Sequence, residues 1–343
     1  MPFGIESIWL TLGGFVFCAA LIAVAGTLLA KRADMIADVT GLGEALVGAV
    51  LLGGSTSLPG IITSVVTAWQ GHPVLSISNA IGGITAQTAF LVVADTFYRR
   101  ANLEHAAASA ANLTQGALLV SLLSIPLIAM SGPQITILGV HPATVLMLGG
   151  YAYGVHLINR ARTHPMWAPR ATSQTQDSDD EGKGRRVQQS AFRISAEFLG
   201  LAAITAGAGY GISQFGISLA RQTGLAETAV GGLLTAISTS LPELVTSVAA
   251  VRAGALTMAV GGIIGGNAFD TLFIAFSDVA YREGSLYHQF NSDNVFTVAL
   301  AILMTGTLLL GLLRRETVGP GRIGFESVAI LILYALGAVI LIV

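Results

Sequence analysis

The sequence predicts an all-α polytopic membrane protein of about ten transmembrane helices, arranged as two inverted five-helix repeats. Three observations carry this expectation. Of 343 residues, 53% are hydrophobic and only 10% charged, against about 25% charged in a soluble domain. Apolar runs near or above the ~20 residues that a membrane helix needs recur from end to end. Residues 41–95 also match residues 224–278 without a gap, with 21 of 55 positions identical. A large soluble α/β enzyme fits poorly, because its buried strands would be short and these runs are long.

The apolar runs fall at about 5–30, 42–69, 74–98, 110–130, 135–158, 191–219, 225–251, 256–280, 292–313 and 323–343. The first follows "MPFGIES", which carries no Lys or Arg, so it is read as a retained span rather than a cleaved leader. Cys18, the single cysteine, is expected to pack within that first helix. It excludes an intramolecular disulfide and a cysteine metal cluster. Between the fourth and fifth runs, "SGPQITILGVHP" (131–142) is read as a turn or a short re-entrant piece. Basic residues set the orientation. With the N-terminus outside, 15 of the 17 Lys and Arg residues fall inside, leaving only Arg221 and Arg282 outside. Both termini are then outside.

Residues 159–190 form the one long polar segment, read as a cytoplasmic linker. It contains "DSDDE" (Asp177–Glu181), which lacks the spacing and glycine of an EF-hand loop. The linker divides the chain into a first transmembrane half, 1–158, and a second, 191–343.

The repeat carries the chemistry. "GGSTSLPGIITS" (53–64) aligns with "AISTSLPELVTS" (236–247). Shared positions include Gly41/Gly224, Glu44/Glu227, Gly48/Gly231, Pro59/Pro242, Thr63/Thr246, Gly82/Gly265 and Asp95/Asp278. Apolar composition alone does not match Pro, Gly and Glu in register. By the basic-residue topology, the two copies enter the membrane from opposite sides, the arrangement used for alternating access. Each proline removes an amide hydrogen and is expected to break its helix near the midplane. The freed carbonyls need partners in lipid, and a cation can supply one. The hydroxyls of Thr56, Ser57, Thr239 and Ser240 add neutral oxygens beside the breaks. Glu243 follows Pro242, and Asp270 lies in "IIGGNAFDTLF". A carboxylate at that depth is a functional-site candidate. Carboxylate, hydroxyl and carbonyl together suit a hard cation. Metalloprotease, nucleophile-elbow and phosphate-loop motifs are absent, so no enzyme is expected. The six histidines show no transition-metal spacing.

These motifs resemble the alpha-repeats of the cation/calcium antiporter superfamily, which includes sodium/calcium and proton/calcium exchangers. The resemblance implies ten spans in bacterial and archaeal forms, inverted repeats and a prokaryotic plasma membrane. It also implies that Glu243 and Asp270 are ion-coordinating carboxylates. Thr239, Ser240, Pro242 and Glu243 match the first family signature. Gly265, Gly266, Asn267 and Asp270 resemble the second, with Gly266 where serine is usual. In the first repeat Thr56, Ser57 and Pro59 are kept, but Gly60 replaces the family's glutamate. Gln87 takes the position of a polar ligand, while Gly83 and Ile84 replace a serine and an asparagine. Gly60 is expected to leave its side of the site less negative and wetter.

The implied function is secondary active exchange of calcium for sodium or protons. Exchange of monovalent or other divalent cations is the alternative, followed by a cation channel or a non-transporting membrane protein. The expected partners are the lipid bilayer and inorganic cations, with no nucleic acid and no cofactor beyond the transported ions. Glu44, Glu227, Asp95 and Asp278 are expected in architectural or ion-entry roles.

Overall fold

The computed structural model describes residues 6–40, 53–98, 102–169, 191–315 and 324–343. Gly41, Glu44 and Gly48 of the first repeat lie outside the described residues. So do Asp177–Glu181, and Arg99, Arg100, Arg170, Lys183, Arg185, Arg186 and Arg322.

Among the described residues every regular element is helical. Helix α1 (Ile8–Leu21) runs through a π-helical turn, Ile22–Gly26, into α2 (Thr27–Thr40). Then come α3 (Leu58–Trp69), α4 (Pro73–Asp95), α5 (Leu103–Ala107), α6 (Ala110–Met130) and α7 (Pro142–Thr163). The second half holds α8 (Ala191–Thr223) and α9 (Glu227–Ala229), a π-helical segment Val230–Thr235, and α10 (Ala236–Thr239). It continues with α11 (Leu241–Arg252), α12 (Leu256–Asp270), α13 (Leu272–Ala280), α14 (Ser292–Arg314) and α15 (Phe325–Ile342). The stretch between α6 and α7 is a turn, closed by paired backbone bonds between Ile137 and Val140.

Local chemistry fixes several starts. Proline stands in the first turn of α3, α4, α7 and α11, where its missing N–H costs nothing and its φ is already helical. Asn291 begins α14 with a reciprocal cap to Asn294, which satisfies donors that the first turn leaves open.

Helical segments lie on all ten expected runs. Six are long and apolar enough to cross a bilayer, or seven if the bent pair Glu227–Thr239 and Leu241–Arg252 is one span. Helix α3 is too short alone. Helices α7 and α8 are diluted, α7 by His156, Asn159, Arg160 and Arg162, α8 by glycines, Arg193 and Glu197. Burial sorts centre from rim. The apolar windows of α4 and of Leu256–Ala280 are 89% and 83% buried, whereas those of Ile8–Ile36 and α15 are 28% and 22% buried. Side chains such as Trp9, Phe17, Leu336 and Ile340 are exposed on the rim helices, an apolar surface that suits lipid.

The repeat is written into the helix ends. Starts at 8, 58, 73 and 142 have counterparts at 191, 241, 256 and 325, each 183 positions later. Contacts obey the same shift. A β-carbon on Gly26 of the first π-helical turn would come within 2.5 Å of the Pro242 ring. One on Gly209 of α8 would come within 2.7 Å of the Pro59 carbonyl oxygen. Gly26 and Gly209 are 183 apart, as are the two prolines. Only glycine allows so close an approach at both places.

Asp95 and Asp278 repeat the pattern. Asp95 Oδ1 accepts the Leu103 amide at 2.9 Å, and its other side receives the Gly324 amide and the Ser327 hydroxyl. Asp278 Oδ1 accepts the Leu286 amide at 3.0 Å. Its Oδ2 accepts the His141 amide and the Thr144 hydroxyl. All four positions of one latch map onto the other by 183. Each aspartate closes its own half's loop and grips the start of the other half's last helix.

Candidate ion-binding site

The prolines break both helices, and the interruption falls two residues before each of them. Residues 53–56 are helical, Ser57 interrupts, and α3 resumes at Leu58. Likewise α10 ends at Thr239, Ser240 interrupts, and α11 resumes at Leu241, with a bend of 46°. Proline is tolerated inside a new first turn but not in a continuing one. The carbonyls of Ser55 and Ser238 therefore lose their usual i+4 donor.

The interruptions meet α4 and α12, the most buried helices. Ser57 donates from Oγ to Asp270 Oδ1 at 2.6 Å. Gln87 Nε2 donates to Asp270 Oδ2 at 2.5 Å and to Ser240 Oγ at 3.2 Å. These bonds are repeat-related: shifting Ser57 and Asp270 by 183 gives Ser240 and Gln87. Gln87 and Asp270 are themselves mates, so their contact lies where the two halves exchange places.

Glu243 stands beside this network, close enough for its charge to repel that of Asp270. It is 5% exposed, and no donor among the described residues meets hydrogen-bond geometry at either carboxylate oxygen. Thr56 is adjacent, but its hydroxyl donates to the Gly53 carbonyl at 3.1 Å. The Thr239 hydroxyl donates to Ala236 of its own helix at 3.2 Å. Both of these hydroxyl bonds run back along the residue's own helical segment. Among the described residues, no ion pair involves Glu243 or Asp270. An ionised carboxylate left this way in a dry interior is costly by several kcal/mol, about the desolvation penalty of one buried ion.

All seven expected residues are buried: Thr56, Ser57, Gln87, Thr239, Ser240, Glu243 and Asp270. Ser57, Gln87, Ser240 and Asp270 form one bonded group. Thr56 joins Glu243 by proximity, while the bond found for Thr239 is to its own helix. Departures from the family motif also fall here. A β-carbon at Gly83 would lie 3.4 Å from Ser240 Oγ, and one at Gly266 would lie 3.4 Å from Gln87 Oε1.

Gly60 differs from expectation. A β-carbon there would lie 2.6 Å from Cε2 of Phe273. The ring packs edge-on to Phe269, which packs edge-on to Tyr151. The place expected to be wet is filled by an aromatic ring, because a residue with no side chain admits one.

Sequence reasoning missed these aromatics, which look like core residues in an apolar run. It also missed Gln115, whose buried Oε1 meets no donor among the described residues, and named Asn267 only as part of a motif. Asn267 Nδ2 donates to Thr88 Oγ1 at 2.9 Å, and its Oδ1 meets no donor among the described residues. An amide inside an apolar span was the available signal for Gln115. The expected ion-entry role for Asp95 and Asp278 gives way to an architectural one, since backbone donors occupy both. Glu227 begins α9 and pairs with His72 at 2.5 Å.

Apolar rim helices around a buried, uncompensated carboxylate pair define an integral membrane protein built to handle cations. The chain belongs to the sodium/calcium exchanger protein family, whose model matches residues 10–155 and 196–343. The match skips the whole polar linker. A sodium/calcium exchanger of Methanosarcina acetivorans is 34% identical over 111 residues, 31% of each chain. The match thus spans under a third of that relative. An uncharacterized membrane protein of Methanocaldococcus jannaschii is 25% identical over 296 residues, 84% of each chain. In fold, the chain resembles the crystal structure of the H+/Ca2+ exchanger CAX, with a TM-score of 0.66 and 13% identity. That likeness covers 97% of this chain and 85% of the other.

Proposed function

We propose that this protein is a secondary active antiporter that exchanges calcium for sodium or protons by alternating access. Ten spans form two inverted halves joined by the cytoplasmic linker, with both termini outside. One observation carries the reading: Glu243, buried beside Asp270 at a helix break, has two oxygens that no donor among the described residues meets in full hydrogen-bond geometry. A hard cation would satisfy them, with further oxygens from Thr56, Ser57, Thr239, Ser240 and Gln87. The broken helices would let each half move against the other around this point. Family membership and the relatives' exchange of calcium for sodium or protons support the reading.

Exchange of monovalent or other divalent cations is the second reading. It is favoured by Gly60, which brings no carboxylate and carries Phe273 instead.

The test is flux in proteoliposomes, with calcium, sodium, potassium and proton gradients varied singly. Calcium is expected to move only against a counter-gradient. Glu243→Gln removes a charge at nearly constant size and is expected to reduce calcium flux by at least tenfold. Unchanged flux in correctly inserted protein would make Glu243 structural. Sustained current without countertransport would point to a channel.

A further inference from the structure

We propose that this protein holds one anionic phospholipid by its headgroup, in a cavity where α6 begins and α7 ends. The inference goes beyond the exchanger reading and does not depend on which ion is carried.

The cavity lies where water meets lipid. Helix α6 is one of the apolar spans. Helix α7 packs closely on it, since a β-carbon on Gly154 would come within 2.3 Å of the Leu118 side chain. A short turn joins the far ends of the two helices. The start of α6 and the end of α7 therefore share one end of the pair, at the edge of the bilayer. In the orientation proposed above this is the cytoplasmic edge, the side whose leaflet is anionic.

The cavity has a volume of about 630 Å³ and a lining of two kinds. Leu113, Ala117 and Met166 are apolar, Arg160 and His164 are basic, and Trp167 stands with them. None of the lining residues is acidic. The Arg160 guanidinium pairs with no acid among the described residues, and Arg162 adds a second exposed cation in the same last turn of α7. The His164 ring meets the Thr163 hydroxyl at 3.0 Å through Nδ1. Met166 is 98% exposed and Trp167 50%, so two large apolar side chains stand open beside the arginine.

A phospholipid answers both kinds of lining at once. A guanidinium grips a phosphate with two parallel bonds, and tryptophan settles at the depth of the headgroups. A phosphodiester on Arg160 brings the glycerol and the upper acyl chains against Leu113, Ala117 and Met166, which gain by leaving water. Free phosphate would match the arginine and leave those apolar groups wet. A zwitterionic headgroup would carry its own ammonium toward Arg160 and Arg162, and like charges repel. A headgroup of net negative charge does not meet that penalty.

The experiment uses the full chain, delipidated in detergent. Phosphatidylglycerol, phosphatidylcholine and inorganic phosphate are titrated separately while the thermal midpoint is followed, and native mass spectrometry counts retained lipid. Phosphatidylglycerol is expected to raise the midpoint saturably, with one lipid retained, while the other two leave it unchanged. Arg160→Gln is expected to raise the half-saturating concentration about tenfold, the loss of one charge-assisted bond. Trp167→Ala is expected to raise it as well. Arg193→Gln removes an equal charge from an exposed arginine elsewhere and is expected to change it less than twofold. Stabilisation by phosphatidylcholine equal to that by phosphatidylglycerol would mean an unspecific lipid coat and overturn the proposal. Stabilisation by inorganic phosphate alone would make this a plain anion site. Equal effects of Arg160→Gln and Arg193→Gln, or no response to phosphatidylglycerol, would overturn it too. None of these outcomes bears on cation exchange, which the flux measurements decide.

Discussion

Gly60 shows how a residue with no side chain sets the character of a site. Its repeat mate is a glutamate, yet its own place is taken by the Phe273 ring, 2.6 Å from where a β-carbon would stand. Gly60→Glu must therefore displace the ring and bury a third carboxylate. Overpacking of this kind costs about 1–3 kcal/mol, and the added charge raises that. The substitution is expected to lower the thermal midpoint in detergent. Phe273→Ala removes the obstacle but leaves a cavity, at a cost of about 3–5 kcal/mol. Residues in contact couple, so the double variant is expected to lose less stability than the two singles added together. Additive losses would mean that ring and glycine do not share the space. The seven candidate residues were legible in the sequence because hydroxyls, an amide and acids stand out in an apolar run. Phe273 was not, since a phenylalanine there looks like any other core residue.

At the scale of the element, the broken helices depend on what packs at the break. Gly26 and Gly209 bring neighbouring helices onto Pro242 and Pro59, with no room for a methyl group. Gly209→Val is expected to destabilise the protein by about 1–3 kcal/mol, because the obstacle is the Pro59 backbone, which cannot rotate aside. Gly26→Val meets the Pro242 ring instead and is expected to cost no more. Paired thermal unfolding measurements in detergent check the order, and a larger loss at Gly26 would contradict it. The long apolar spans were legible from the apolar runs, six of them or seven with the bent pair, and the breaks from two prolines. The location of each interruption was not. Proline fixes the first turn of the resuming helix, so the chain turns at the serine before it. Nor could composition alone say that α4 and α12 are central while α1 and α15 form the rim.

At the scale of the whole molecule, the two halves hold each other. The Asp95 latch grips the start of α15, and the Asp278 latch grips the start of α7. The sequence displayed these aspartates as matched, but a repeat aligned over 55 positions did not reveal that their partners also match. The partners are backbone amides, and any residue but proline supplies one. The pattern bears on synthesis. A ribosome delivers Asp95 to the bilayer 232 residues before Ser327 exists, so the first half spends that interval with an acid that only Leu103 partners, and Pro59 waits 150 residues for Gly209 to cover it. Non-local contacts of this length close late and leave intermediates exposed. Residues 1–169 made alone are therefore expected to be degraded in cells, and to accumulate when residues 170–343 are made beside them as a separate chain. Equal accumulation of the first fragment with and without the second would mean that each half finishes its own folding, and that the crossed latches are fastened only as a last step between completed parts.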